Sequence, residues 1–306
     1  MKKTLLTICL VWMCFSLSAQ KIIDLSGKWS FSIDRQDNGE KEKWFSHTLN
    51  DFINLPGSMP EKLKGDEVTA KTQWTGSLYD SSYYYNPYME KYRKEGNIKF
   101  PFFLTPDKHY VGAAWYQKEV NIPADWKGER ILLFLERPHI ETTVWVNGQK
   151  TGMQNSLCVP HQYDITHYVR PGKCTITIRV DNRIKEINVG PDSHSITDQT
   201  QGNWNGIVGR ICLQTTPKTY FDDIQIYPEP EQKLARVKVV IKGTGTAKVK
   251  LSAESFNTDK KHIVPAIQQE IKLNKGVTET EMVLPMGNDM LLWDEFHPAL
   301  YKLKAE

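Results

Sequence analysis

The sequence predicts an all-β protein made of two β-sandwich domains. From Ile22 onward, apolar residues recur at every second position in short runs, the spacing of a strand with one buried face. Turn-forming residues interrupt these runs at short intervals, and no long stretch has the spacing of an amphipathic helix. A chain of 306 residues is long enough for two such domains, each with sheets packed face to face.

Three stretches of the first domain carry the strand signal most clearly. Residues 130–136 (RILLFLE) are almost continuously apolar, as expected for a strand inside a sandwich. Residues 143–152 (TVWVNGQKTG) run into Asn147-Gly148, a dipeptide typical of a two-residue hairpin turn. Residues 174–182 (CTITIRVDN) alternate between two faces, with the apolar one formed by Cys174, Ile176, Ile178 and Val180.

A second, smaller domain is predicted after Thr216-Pro217-Lys218. Short strands are expected within residues 236–255, 266–273 and 279–284, and residues 293–306 read as a last strand. Their number suffices for a sandwich of the immunoglobulin-like kind. We therefore divide the chain into a first domain at 20–218 and a second at 219–306.

Residues 1–19 have the pattern of a secretory signal peptide. A basic start at Lys2 and Lys3 precedes a short apolar core from Leu5 to Leu17, and Ser18-Ala19 are small residues before the expected cleavage. This segment is too short for a membrane span, and no other stretch is apolar enough for one. The sequence thus predicts export, with the mature protein periplasmic or secreted.

Composition argues against several classes of function. The net charge of +3 includes two signal-peptide lysines, so the mature chain is close to neutral and carries no electrostatic footprint for nucleic acid. The histidines and cysteines show no metal-binding spacing, so no metal and no cofactor are predicted. Three cysteines remain after the signal, and an odd number in a chain this long does not indicate a disulfide scaffold.

Residues 70–110 break the regular pattern. They are rich in tyrosine but show little periodicity, and a loop of this length in a compact domain is usually functional or disordered. The aromatic content argues against disorder. Two interpretations remain: the rings pack this aromatic loop onto the sandwich, or they form a wall of a carbohydrate site.

Residues 198–210 (DQTQGNWNGIVGR) form the candidate binding loop. Side-chain amides can donate to and accept from the hydroxyl pairs of a neutral sugar, and an indole can stack on the apolar face of a pyranose. Trp204 admits a second interpretation, as a plug in the core, because large aromatic residues are usually well buried. The predicted substrate-binding residues are Asp198, Gln201, Asn203, Trp204 and Asn205.

Six stretches stand out along the mature chain: 25-LSGKWSFSID-34, 112-GAAWYQKEVNIP-123, 144-VWVNGQKTG-152, 178-IRVDN-182, 204-WNGIVGRICL-213 and 293-WDEFHPALYKL-303. In this order they resemble the front half of a family 2 glycoside hydrolase, the group that includes β-galactosidases, β-glucuronidases and β-mannosidases. The chain is similar to that family over nearly all of its mature length.

The resemblance implies a jelly-roll sugar-binding domain followed by an immunoglobulin-like sandwich. In the family, a (β/α)₈ barrel follows and carries both catalytic carboxylates, whereas this chain shows no βαβα alternation and no Asn-Glu dipeptide. No residue is therefore assigned a catalytic role, and the chain alone is expected to be inactive. The barrel is expected downstream in the full gene product.

The resemblance also implies that the loop ahead of Gly206-Ile207 reaches over the barrel mouth and contacts the sugar. Asn203 and Trp204 fall where the family has an amide or acid and an aromatic residue. Val208 and Gly209 stand where many members have one residue, which leaves the register open by one position.

The function predicted from the sequence is the non-catalytic amino-terminal part of an exported, β-galactosidase-like glycoside hydrolase. Its loop would contact a terminal β-linked sugar. Two alternatives stay open: a free-standing pair of carbohydrate-binding modules, and a β-sandwich interaction protein without a sugar site. The sugar, the linkage and the oligomeric state do not follow from the sequence.

Overall fold

The computed structural model describes residues 21–76, 81–101, 105–185, 193–194 and 196–306. The predicted signal peptide and Tyr79 of the aromatic loop lie outside these ranges. The chain divides into two compact units between Thr216 and Pro217, and antiparallel strands dominate both. The all-β prediction is thus confirmed, and no (β/α)₈ barrel is present in the described ranges.

The described residues of the first unit form thirteen strands, one short α-helix and three 3₁₀ turns. The 3₁₀ turns are Trp44–Ser46, Pro87–Tyr92 and Ala124–Trp126, and helix α1 is Ser82–Tyr85. The strands are β1 (Ile22–Asp24), β2 (Gly27–Asp34), β3 (Asp51–Leu55), β4 (Gly57–Ser58), β5 (Asp66–Glu67), β6 (Lys108–His109), β7 (Ala113–Ile122), β8 (Arg130–Pro138), β9 (Glu141–Val146), β10 (Gln149–Asn155), β11 (His161–Asp164), β12 (Gly172–Asp181) and β13 (Gly206–Thr216).

Two antiparallel sheets of the first unit enclose its core. One has the order β1-β13-β8-β11, with β4 also paired to β13, and the other has the order β10-β9-β12-β7-β2-β3. Both sheets contribute to a single apolar cluster, in which Trp29, Tyr116 and Ile178 come from the larger sheet and Leu133 and Leu213 from the smaller one. The predicted alternation in β12 is confirmed, because its four apolar residues all lie in this core.

The opposite face of the larger sheet is also covered. Thr177 and Arg179 of β12 point away from the core, yet both are buried. The segment between β2 and β3 packs here, and the guanidinium of Arg179 lies 2.6 Å from Asp37. Beside it, the rings of Trp115 and Trp145 lie 4.9 Å apart under an apolar cover formed by Trp44, Phe45 and Leu49.

Turn chemistry explains two local features that matter for the site. Asn147 and Gly148 both have positive φ and join β9 to β10, which confirms the predicted hairpin. In β13 a register shift lies between Val208 and Ile211, with Gly209 at φ 78°. This bulge takes up the additional residue, so Ile207 keeps its place opposite Pro138 and the core residues beyond the bulge keep theirs.

The second unit is a smaller all-β body. Where several short strands were predicted, the chain forms two strands of 23 residues that pair along most of their length. Glycines let the hairpin bend without ending it, at a register shift between Gly243 and Gly245. The elements are β14 (Tyr220–Glu229), a 3₁₀ turn (Pro230–Gln232), β15 (Leu234–Phe256), β16 (Ile263–Pro285) and β17 (Leu300–Ala305).

The aromatic loop is partly folded onto the first unit. Trp74 packs against both Phe100 and His109, with ring centroids 4.9 and 4.6 Å apart, and Phe100 in turn stacks on the buried Tyr83. The packing interpretation therefore holds for these rings. Tyr84 also makes an edge contact with Tyr83, with ring centroids 5.1 Å apart, but remains partly open to solvent, and Tyr85 and Tyr88 are largely exposed.

Candidate functional site

The loop that carries the predicted site residues runs from Asp181, at the end of β12, to Gly206. The fully buried Asp181 carboxylate is paired with Arg179 at 3.0 Å, Arg183 at 2.6 Å and Lys185 at 2.9 Å. Burial opposes its ionisation, but the hydrogen bonds from Arg183 and Lys185 outweigh burial and hold the pKa of Asp181 well below its ordinary value. This ion cluster fixes the start of the loop.

Asp198 connects the loop to the aromatic loop. Its carboxylate accepts hydrogen bonds from the backbone N–H groups of Thr75, at 2.6 Å, and Asn203, at 2.7 Å. The Nε2 atom of His109 lies 3.4 Å from the same carboxylate. Asp198 is itself buried, so its geometry fits a residue that shapes the loop more than one that meets a ligand first.

The side-chain oxygen of Asn203 differs from its side-chain nitrogen in its hydrogen bonding. Its side-chain N–H groups donate to Thr75 Oγ1 and to the carbonyl of Asn182, each at 2.9 Å. Its Oδ1 atom is buried and forms no hydrogen bond of ordinary geometry within the described residues; the imidazole of His139, whose Nε2 is also unpaired, is close enough to interact with it. Because an unpaired buried acceptor is unfavourable, a donor that reaches this oxygen would be bound with a gain in free energy.

Trp204 lies over His139, whose importance the sequence did not indicate. The two rings stack with centroids 4.6 Å apart, and the indole remains partly exposed. Burial lowers the pKa of His139 to about 4, despite opposing effects of Asn203 and Asp198, so the imidazole is neutral near pH 7. The indole of Trp204 is thus partly exposed and stacked on a second ring, which is compatible with a role in stacking on a sugar.

Asn205 is saturated with protein contacts. Its amide N–H groups donate to the carbonyls of Gly112 and Val180, both at 2.9 Å, and its oxygen accepts from the hydroxyl of Tyr116 at 2.7 Å. The side chain is almost completely buried. Its sugar contact stays a prediction, but one that these three hydrogen bonds oppose.

A cavity of about 220 Å³ collects the other predicted residues. The exposed Gln201 lies at its edge, and Asp198, Asn203 and Trp204 contribute to its lining. The turn from 198 to 203 that forms this wall contains Gly202 at φ 73°, a left-handed conformation that glycine adopts readily. The structure therefore brings together four of the five predicted residues and places Asn205 behind them.

Several contributors to the site were missed from the sequence. His109, His139 and Ser58 line or support the cavity, and Thr75 and Asn182 hold its wall. They come from five separate segments of the chain. Asn182 ends the motif IRVDN, and Thr75 and His109 lie in the aromatic loop, but no pattern in the sequence marked these particular residues as part of the site. In the described part of the chain, no group of three or more potential metal ligands is found. No described helix is long and apolar enough to cross a membrane.

Two family models together match almost all of the described chain. The model described as "Glycosyl hydrolases family 2, sugar binding domain" matches residues 22–217. The model described as "Glycosyl hydrolases family 2" matches residues 219–306. Their junction falls beside the division between the two structural units at Thr216 and Pro217.

Individual relatives agree with this assignment. Human beta-glucuronidase is 24% identical over 266 residues, which cover 78% of this chain and 35% of the relative. A beta-galactosidase of Clostridium acetobutylicum is 24% identical over 287 residues, which cover 92% of this chain and 28% of the relative. The chain thus spans about a third of the length of these relatives.

Solved structures show the same fold. A beta-glucuronidase of an uncultured Clostridium sp. superimposes with a TM-score of 0.60 at 20% identity, covering 94% of this chain and 43% of that one. The Ruminococcus gnavus beta-glucuronidase gives a TM-score of 0.59 at 18% identity, with coverage of 94% and 42%. From the family models and these relatives we conclude that the chain belongs to glycoside hydrolase family 2, of which it contains the sugar-binding and immunoglobulin-like domains.

Proposed function

We propose that this chain is the non-catalytic amino-terminal portion of an exported glycosidase that removes a terminal β-linked sugar. Its share of the relatives' length, 35% and 28% for the two described above, supports a larger gene product. The catalytic (β/α)₈ barrel would be supplied by the remainder of that product. Hydrolysis there would use two carboxylates of the barrel, one as acid and base and one as nucleophile.

In this proposal the loop from 198 to 204 contributes to sugar binding. The observation that carries it is the unpaired Oδ1 of Asn203 next to the partly exposed indole of Trp204. This oxygen is buried, so the loop would have to open for a sugar hydroxyl to donate to it, while the partly exposed indole would cover the apolar face of the ring. Gln201 at the rim would add a peripheral contact, and Asp198 would hold the loop in shape through its two backbone hydrogen bonds.

The test uses the full gene product with its barrel. Asn203→Ala and Trp204→Ala should each lower kcat/KM by roughly tenfold to a hundredfold, since a lost hydrogen bond or stacking contact in the transition state amounts to about 1–3 kcal/mol. Gln201→Ala is the matched control on the same loop and should have a smaller effect. Unchanged kcat/KM in both Asn203→Ala and Trp204→Ala would remove the loop from the sugar site.

A melting curve of each variant separates binding from folding. A lower melting temperature with unchanged kcat/KM for Trp204→Ala would assign the indole to the core instead. A glycan array on the purified chain of 306 residues tests the alternative of a free-standing binding module, because such a module must bind a sugar without the barrel.

Export is the second part of the proposal. The apolar core of residues 5–17 and the small pair Ser18-Ala19 support cleavage before Gln20. Mass spectrometry of protein recovered from the periplasm or medium should find Gln20 as the first residue. A protein that keeps Met1 and stays in the cytoplasm would contradict this part alone.

A further inference from the structure

The aromatic loop presents three tyrosine rings to solvent on one short segment. Tyr84 is 43% exposed, Tyr85 73% and Tyr88 85%, and they lie at the end of α1 and in the 3₁₀ turn that follows it. We call these three residues the tyrosine surface. Because exposed apolar residues that cluster often mark interaction sites, these three rings on neighbouring residues are a candidate binding surface.

The segment beneath the tyrosine surface is firmly anchored. The buried Tyr83 stacks on Phe100 at 4.6 Å, and its hydroxyl donates to the carbonyl of Tyr92 at 2.9 Å. The guanidinium of Arg93 donates to the carbonyl of Tyr83. Asn86 caps the 3₁₀ turn by accepting a hydrogen bond from the N–H of Tyr88 at 2.9 Å. The exposed rings are therefore attached to an ordered backbone, which lowers the entropy lost on binding.

The chemistry of the surface fits a carbohydrate better than a protein. The large exposed apolar residues of this segment are all tyrosines, whose rings combine a flat apolar face with a polar edge. A pyranose has the same combination, with C–H groups on one face and hydroxyls around the rim. By contrast, the exposed residues before β17 in the second unit, Leu292, Trp293 and Phe296, carry no hydroxyl group.

Two cations follow the tyrosine surface in the sequence. The ammonium groups of Lys91 and Lys99 lie 4.9 and 6.0 Å from the ring of Tyr92, and both side chains are exposed. They could pair with a carboxylate or sulfate carried by a sugar. Both neutral and acidic glycans are therefore compatible with the stacking surface, and binding experiments can distinguish them.

We propose that the tyrosine surface binds a carbohydrate chain, by stacking of Tyr85 and Tyr88 on successive pyranose rings, with Tyr84 at its border. The surface lies in the domain whose family model is named for sugar binding. The tyrosine surface is separate in sequence from the candidate binding loop at 198–210. The polymer would be held here while a terminal sugar is bound elsewhere, so this proposal stands whether or not the loop contacts the substrate.

The test is affinity electrophoresis of the purified chain in gels that contain one polysaccharide each. Xylan, β-mannan and mixed-linkage β-glucan serve as neutral probes, and chondroitin sulfate serves as the acidic one. The chain should be retarded by at least one of them, and the double variant Tyr85→Ala/Tyr88→Ala should weaken this binding at least tenfold. The double variant to phenylalanine keeps the stacking faces and should retain most of it.

Two controls separate the surface from the candidate loop and from nonspecific adhesion. Tyr227→Ala removes a half-exposed tyrosine from the second unit and should leave retardation unchanged. Trp204→Ala reports on the candidate loop, and retardation that survives this change belongs to the tyrosine surface. The melting temperatures of the tyrosine variants should agree with that of the unmodified chain within about 2 °C because the rings removed are exposed.

Four outcomes would overturn the proposal. The first is the absence of retardation by all four polysaccharides, and the second is retardation that persists in the double alanine variant. The third is self-association of the chain that the alanine variant abolishes without any sugar dependence, which would assign the surface to a second copy. Loss of binding in Trp204→Ala alone would leave the candidate loop as a sugar site and remove this one.

Discussion

Replacing Asn205 by alanine should strongly destabilise the first unit. The change removes two donors to the carbonyls of Gly112 and Val180 and an acceptor for the hydroxyl of Tyr116, all at 2.7–2.9 Å. Each buried polar group left unpaired is unfavourable by about 1–3 kcal/mol. With partial relaxation and water entry, the free energy of unfolding should fall by about 4 kcal/mol. In a domain of this size that corresponds to a loss of about 10 °C in melting temperature.

Calorimetry and urea unfolding of the whole chain would measure this effect. Asn205→Asp keeps the shape of the side chain but removes both donors, so it should also be strongly destabilising. Gln201→Ala, on the exposed side of the same loop, should change the free energy of unfolding by less than about 0.5 kcal/mol. If Asn205→Ala melts within about 2 °C of the unmodified protein, the three hydrogen bonds do not stabilise the fold, and the amide would again be a candidate for ligand binding.

Three further predictions concern titration, backbone space and thiol access. Burial holds the pKa of His139 at about 4, against 6.5 ordinarily, so as the pH falls the unfolded chain takes up this proton first. The stability linked to the neutral ring is thus present above pH 6.5 and is lost as the pH falls from 6.5 to 4. Over this range the free energy of unfolding, measured in urea, should fall by up to about 3 kcal/mol less in His139→Phe than in the unmodified protein. Equal losses in the two proteins would contradict the assignment. Gly206→Ala should lower the free energy of unfolding by about 2–3 kcal/mol in the same assay. Gly206 has φ +146°, and a Cβ atom on it would lie 2.5 Å from a carbonyl oxygen of β4. An unchanged unfolding midpoint would refute this close packing. In the folded mature chain a thiol reagent should modify the exposed Cys158, whereas the buried Cys174 and Cys212 should react only in denaturant. Rapid labelling of all three thiols without denaturant would show that Cys174 and Cys212 are not fully buried.

Short-range patterns predicted much of the fold. Alternation identified the core face of β12, and Asn147-Gly148 identified the turn between β9 and β10. The same patterns failed where long-range packing decides. The cover over Thr177 and Arg179 comes from the segment between β2 and β3, far away in the sequence. The lengths of β15 and β16 were underestimated because their glycines form bends instead of chain ends.

The candidate site shows the same division. Residue chemistry in one loop was enough to select Asp198, Gln201, Asn203 and Trp204, which do surround one cavity. It could not distinguish Asn203, with its free oxygen, from Asn205, whose three bonds reach separate strands and loops. Two amides separated by a single residue have the same intrinsic chemistry, and only the tertiary environment determines which one is available. For the same reason no pattern could place a buried histidine behind the tryptophan.

The bulge in β13 has a consequence for how this domain can change during evolution. One residue is accommodated between Val208 and Ile211 while pairing with β8 continues on both sides. Insertions and deletions of a single residue can therefore accumulate at this position without reversing the orientation of the side chains that follow. Selection can then act separately on the loop before Gly206 and on the core residues after Ile211. This holds although the loop leads directly into the strand that carries those core residues.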